Sequence, residues 1–250
     1  MSGGPGRFGL RLDRAQVDLR DGRRRFRLRI DRLELAAGQA VALVGASGSG
    51  KTLLLELLGL LRAPGAGTAY GWTDGAGTRH DLAGLWAAGT RSRALAAMRG
   101  RLFGFVPQTG GLLPFLSVAE NVALPQRVTG RVDAGWCATL IDRLGLADVA
   151  ALRPGALSIG QRQRCAIARA LAHRPPFVIA DEPTAALDPD ASDRVLALLL
   201  EVAAGTGCGV ILSSHDVDRL DRFGIARLAL ETRTGEEGEV TGRIAGAAPC

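Results

Sequence analysis

Lysine is nearly missing from this 250-residue chain: of 31 Lys and Arg residues, only Lys51 is lysine. Aromatics are scarce too, at 4% with a single tyrosine. The net charge of +6 is thus an arginine charge, spread along the chain apart from "RDGRRRFRLR" at residues 20–29. Dispersed cations without interleaved aromatics do not make the stacking surface that single-stranded RNA requires, so no nucleic acid partner is expected. No apolar run approaches the roughly eighteen residues of a membrane span. The opening "MSGGPGRFGLRLDR" has no apolar core of the signal-peptide kind, so a cytoplasmic chain is expected. Cys137, Cys165, Cys208 and Cys250 form no C-x-x-C pair, which argues against both a zinc site and a disulfide framework.

What is present suits an α/β protein. With 47% apolar residues, the chain can bury one substantial core with an attached subdomain. "VALVG" (41–45), "FVIAD" (177–181) and "GVILSSH" (209–215) are short apolar runs ending in small or functional residues. They read as parallel strands buried on both faces, whose ligands collect at the carboxyl ends. "RFRLRIDRLEL" alternates, with Phe26, Leu28 and Ile30 on one side, and predicts a strand with one wet face. Residues 64–92 read as hairpins and loops, 115–152 as mostly helical, and 232–250 as a short hairpin with a mobile end.

Two motifs carry the chemistry. "GASGSGKT" (Gly45, Ala46, Ser47, Gly48, Ser49, Gly50, Lys51, Thr52) fits G-x-x-x-x-G-K-[ST] between a strand and the helical "TLLLELLGLL". Its backbone N–H groups can cradle phosphate oxygens, Lys51 can reach the β- and γ-phosphates, and the Thr52 hydroxyl can hold Mg²⁺. A chain that otherwise avoids lysine places its one lysine here. Asp181 and Glu182 end the second strand and point in different directions. Asp181 is the candidate for Mg²⁺, and Glu182 for orienting and deprotonating an attacking water. In "ALSIGQRQRCAIARAL" (156–171), Ile167, Ala168, Ala170 and Leu171 recur behind Gln161, Arg162 and Arg164, predicting a helix with Ser158 as N-cap.

The ordered set "GASGSGKT", "FVPQ", "LSIGQRQR", "FVIADEPTAALDP" and "LSSHD" resembles the ATP-binding cassette (ABC) ATPases over roughly residues 10–230. The resemblance implies a RecA-like P-loop ATPase core, an N-terminal antiparallel β-subdomain and an inserted helical subdomain. Core and β-subdomain would occupy 1–106 and 157–230, the helical insert about 107–156, and a tail 231–250. It implies hydrolysis of ATP with Mg²⁺. Gln108 would touch Mg²⁺ and the water, and His215 would contact the γ-phosphate and act with Glu182. Asp188 would cross to a partner's phosphate loop, and Ser158, Gly160 and Gln161 would close over the partner's γ-phosphate. One complete site would then need two chains, with a homodimer favoured.

Two positions depart from the family pattern: Ile159 stands where it has glycine, and the area near Leu19 lacks the usual base-stacking aromatic. Phe26 is the nearest candidate to replace it, but alternation with Leu28 and Ile30 favours a core role, leaving the base to aliphatic or arginine side chains. "FGFVPQTGGLLPFLSVAENVALP" (103–125) resembles the lipoprotein-release and macrolide-efflux cassettes, with the cell-division cassettes that regulate wall hydrolases as the alternative. A nucleic-acid-linked cassette fits less well, since the chain has neither heptads nor a zinc hook. A separate integral membrane, permease-like subunit is implied, with this chain peripheral at the cytoplasmic face of the inner (plasma) membrane. Phe115, Leu116, Val118 and Val122 would line the groove for that partner, or fill the helical subdomain's core.

Overall fold

The computed structural model describes residues 9–21, 24–234 and 239–245. Its β1 (Gly9–Asp21) and β2 (Arg24–Ala36) form a long antiparallel hairpin. Phe26, Leu28 and Ile30 alternate as expected, but Leu33 and Leu35 fall one residue out of phase. The pairing corrects this: Asp13 faces Arg32 and Ala15 faces Ile30, leaving Arg14 (φ 53°) and Asp31 between them. The irregularity returns Leu33 and Leu35 to the buried face with Leu28 and Ile30.

The hairpin continues into β4 (Ala69–Thr73) and β5 (Arg79–Asp81), whose turn is fixed by Asp74 accepting from the N–H groups of Ala76 and Thr78. The apolar runs form β3 (Ala40–Val44), β7 (Phe177–Ala180) and β8 (Gly209–Ser213), with β6 (Phe103–Val106) outermost. These four are parallel. Next to β3 lie β9 (Ala226–Thr234) and then β10 (Glu239–Ala245), giving one sheet in the order β5-β4-β1-β2-β10-β9-β3-β8-β7-β6. The boundary expected at 230 falls inside β9, and β10 bridges β9 to β2, so residues 231–234 and 239–245 belong to the sheet. The mobile end expected for the last residues lies outside the described residues.

Around the sheet pack α1 (Lys51–Leu58), α2 (Arg93–Leu102), α5 (Ile159–Leu171), α6 (Pro189–Thr206) and α7 (Val217–Arg222). The helical stretch contains α3 (Val118–Thr129), α4 (Ala134–Arg143) and two short 3₁₀ turns. Val118 and Val122 are fully buried there, whereas Phe115 is 64% exposed. Of the four groove candidates, then, the two valines are core. Among the described residues no helix is long and apolar enough to cross a membrane.

The helix beginning at Ser158 is seated on the core through glycine. A Cβ at Gly104 in β6 would strike the backbone of Ala170 in α5, including its carbonyl oxygen. Gly104→Ala is expected to destabilise the chain by about 3 kcal/mol through forced separation of helix and sheet. Urea unfolding monitored by circular dichroism measures it; an unchanged midpoint would mean the contact relaxes freely.

Candidate functional site

The phosphate loop joins β3 to α1 as its motif requires. Gly45 cannot carry a side chain, since a Cβ would lie 2.6 Å from the Leu230 carbonyl oxygen and 2.8 Å from Ser49 Oγ. Among the described residues, the six other α-helices begin with a Ser or Asp side chain accepting a first-turn N–H. By contrast α1 begins at Gly50 (φ 99°) with no side-chain cap. Its first-turn N–H groups and positive end thus face the loop's hollow, an arrangement suited to an anion. Lys51 is only 6% exposed. Its Nζ donates to the carbonyl oxygens of Gly45 and Ala46 at 2.9 and 3.2 Å and lies 3.3 Å from His215 Nε2. Burial lowers its pKa from the ordinary lysine value, and the charges of Glu182 and Asp181 oppose that shift.

The two carboxylates meet separate partners because the chain turns between them. Asp181 Oδ2 accepts from the Thr52 hydroxyl at 3.0 Å, and its Oδ1 accepts from Ser213 Oγ at 2.6 Å. Glu182 adopts φ 44°, a left-handed conformation that costs energy for a residue with a Cβ. Its N–H donates to Ser213 Oγ at 2.8 Å. Its side chain meets His215 Nε2 at 2.6 Å and accepts from Gln108 Nε2 at 3.4 Å. Ser213, fully buried, was not singled out from the sequence. Its signal was a hydroxyl closing an otherwise apolar strand.

Lys51, Thr52, Gln108, Glu182 and His215 line one cleft of about 530 Å³, and Asp181 is joined to it through the Thr52 hydroxyl. Phe26 also lines it: the ring packs on the core, as the alternation favours, and forms part of the wall as well. The donor set fits a Mg–nucleotide. Mg²⁺ takes one or two protein oxygens and fills its shell with phosphate and water, which a Thr hydroxyl beside one carboxylate provides for.

The remaining predicted residues lie elsewhere. Ser158 caps α5 in a capping box: its Oγ accepts from the Gln161 N–H at 3.2 Å, and Gln161 Oε1 accepts from the Ser158 N–H at 2.9 Å. That cap uses the third N–H of the helix, so those of Ile159 and Gly160 have no partner within it. The Ile159 side chain is 51% exposed. Neither Ser158, Gly160, Gln161 nor Asp188 lines the cleft. The Asp188 carboxylate instead caps α6, accepting from the Ala191 N–H at 2.8 Å. Arg169 of α5 was also not foreseen. It donates to the carbonyl oxygens of Gly110 and Gly111 at 2.9 and 2.7 Å, tying the helix begun by Ser158 to the loop that carries Gln108.

Comparison with known proteins agrees with this geometry. The family model described as ABC transporter matches residues 28–185. The lipoprotein-releasing system ATP-binding protein LolD of Ruegeria sp. (strain TM1040) is 41% identical over 196 residues, 76% of this chain and 82% of the relative. LolD of Paramagnetospirillum magneticum is 38% identical over 221 residues, covering 86% and 93%. Among solved structures, the dimeric post-hydrolysis state of the ATP-binding cassette MJ0796 bound to ADP and Pi superposes with a TM-score of 0.76. It is 29% identical, with 92% of this chain and 96% of that chain covered. The phosphate loop, the strand-end carboxylates and these relatives place the chain in the ABC transporter family, as an ATP-binding, ATP-hydrolysing subunit.

Proposed function

We propose that two copies of this cassette close over two ATP molecules and drive a separate integral membrane, permease-like subunit. The system would be of the lipoprotein-releasing or macrolide-efflux kind, with the cassette at the cytoplasmic face of the inner (plasma) membrane. The names of the LolD relatives support the system type. The observation that carries the dimer is the exposed N-terminus of α5, whose Ser158 lies off the cleft of its own chain. A second copy supplies the cleft it faces, and two-fold symmetry makes the exchange reciprocal.

In this reading the loop N–H groups and Lys51 hold the phosphate chain, while Thr52 and Asp181 hold Mg²⁺. Bound Mg²⁺ offsets phosphate charge and fixes its orientation. Glu182 orients and deprotonates the attacking water, with His215 and Gln108 holding its two carboxylate oxygens in place. Ser158 and Gly160 of one chain donate to the γ-phosphate held by the other. Asp188 reaches across from its cap on α6 to the partner's phosphate loop, and Gln161 keeps Ser158 oriented. Cargo is read by the membrane subunit.

Light scattering of the Glu182→Gln protein with Mg–ATP and the membrane subunit tests the dimer. Monomer alone at high concentration would overturn it. Ser158→Ala is expected to lower turnover about ten-fold, the strength of one hydrogen bond to a charged group. Ile159→Gly should change it only a few-fold, since that side chain points outward. A rise of tens of fold would mark the native site as impaired and argue for a heterodimer.

A further inference from the structure

The cleft continues past the phosphate loop, where its walls are Leu19, Phe26, Leu53, Glu56 and Arg62. Leu19 and Phe26 are direct partners in the β1–β2 pairing. The Phe26 ring is wedged over the loop: a Cβ at Gly50 would lie 2.9 Å from its Cζ, and one at Gly242 in β10 would lie 3.1 Å away. Arg62 arrives by the end of α1. The chain turns at Leu60 (φ 57°), and the N–H groups of Leu61 and Arg62 both return to the Glu56 carbonyl oxygen, at 2.8 and 3.2 Å. This fold-back sets the Arg62 guanidinium on the Glu56 carboxylate, with Nε donating at 2.8 Å and a terminal nitrogen at 2.7 Å from the same oxygen. Arg62 also lines the neighbouring depression beside Trp86, so it stands as the partition between the two hollows.

We infer that the nucleotide base is held between the Leu19–Phe26 pair and the guanidinium of Arg62, with Glu56 as the positioning residue for Arg62. The inference rests on the nucleotide reading of the phosphate loop. A ligand whose phosphates lie at Lys51 has this end of the cleft for its base. A guanidinium fixed along one edge by a carboxylate presents a flat, weakly hydrated face to a π-system, while Leu19 and Phe26 supply apolar surface. Such a seat reads ring area rather than the hydrogen-bonding edge. It therefore takes purine nucleoside triphosphates as a class: GTP should bind within about three-fold of ATP, and UTP about ten-fold more weakly.

Calorimetry on the full chain, with Mg²⁺, tests this using ATP and inorganic tripolyphosphate as paired probes. Arg62→Ala is expected to raise the Kd for ATP about ten-fold. Arg62→Lys should do nearly the same, because an ammonium keeps the charge without the flat face. Neither should alter tripolyphosphate binding. Phe26→Leu, which retains apolar bulk in the core, should weaken ATP a few-fold and leave tripolyphosphate unchanged. The base seat is overturned if Arg62→Lys binds ATP like the parent, or if Arg62→Ala weakens both probes equally. A parent chain that binds neither probe would instead overturn the nucleotide reading beneath it.

Discussion

Glu182→Gln is expected to lower ATP turnover by at least about a hundred-fold while leaving Mg–ATP bound. The size is that of a lost general base. Retention of binding follows from the proposed division of labour in the cleft, which gives the phosphates to the α1 N-terminus and Lys51. Glutamine preserves the shape of the side chain and the φ 44° turn that aims it. It also keeps an oxygen and an amide to meet His215 and Gln108, which now lie 2.6 and 3.4 Å from the carboxylate. What it removes is the negative charge and the proton-accepting capacity. Phosphate release at saturating ATP, alongside equilibrium binding of ATP, separates these quantities. Turnover near the parental rate in the membrane-coupled protein would move the base elsewhere.

The carboxylates show how far the sequence alone could be read. Two acids at the end of an apolar strand, in a chain with a phosphate loop, point to a Mg–nucleotide site. That Glu182 turns into the left-handed region could not be read, because it depends on Ser213 accepting its N–H from a strand 31 residues further on. Phe26 shows the same limit. Period-two alternation correctly placed it on the face of Leu28 and Ile30, but alternation carries no information about where a face ends. The ring sits at the rim, where core becomes cleft, because β10 and its Gly242 pack beside β2. The strand out to Ala245 was expected only as part of a short terminal hairpin, since its pairing with β2 joins residues more than 200 positions apart. Arg62 was invisible for a third reason: among 31 basic residues it is distinguished only by a helix-end turn that returns it to Glu56. Local signals gave the loop, the Ser158 cap and the apolar strands. The base end of the cleft is assembled from long-range pairings and one backbone reversal.

Lys51→Ala is expected to raise the Kd for Mg–ATP by about a hundred-fold or more, the loss of two charge-assisted hydrogen bonds. The fold should not suffer. The ammonium is buried among two carbonyl oxygens and His215, and burial lowers its pKa despite the opposing charges of Glu182 and Asp181. Removing a cation whose burial outweighs its attractions costs the empty protein little. The melting temperature without nucleotide should therefore match or exceed the parent's, while the rise that ATP produces in the parent disappears. Lys51→Arg is the sharper test in a chain that uses arginine for every other cation. The Lys51 ammonium lies 2.9 and 3.2 Å from the Gly45 and Ala46 oxygens and 3.3 Å from His215 Nε2. A compact point charge fits among those atoms and can turn its three donors between loop and phosphate; a planar guanidinium needs more room and a fixed direction. The Lys51→Arg protein should thus recover little of the affinity lost in Lys51→Ala, measured by the same calorimetry and melting curves. Full recovery would mean that charge alone suffices, and would leave the one lysine in this sequence without a chemical reason.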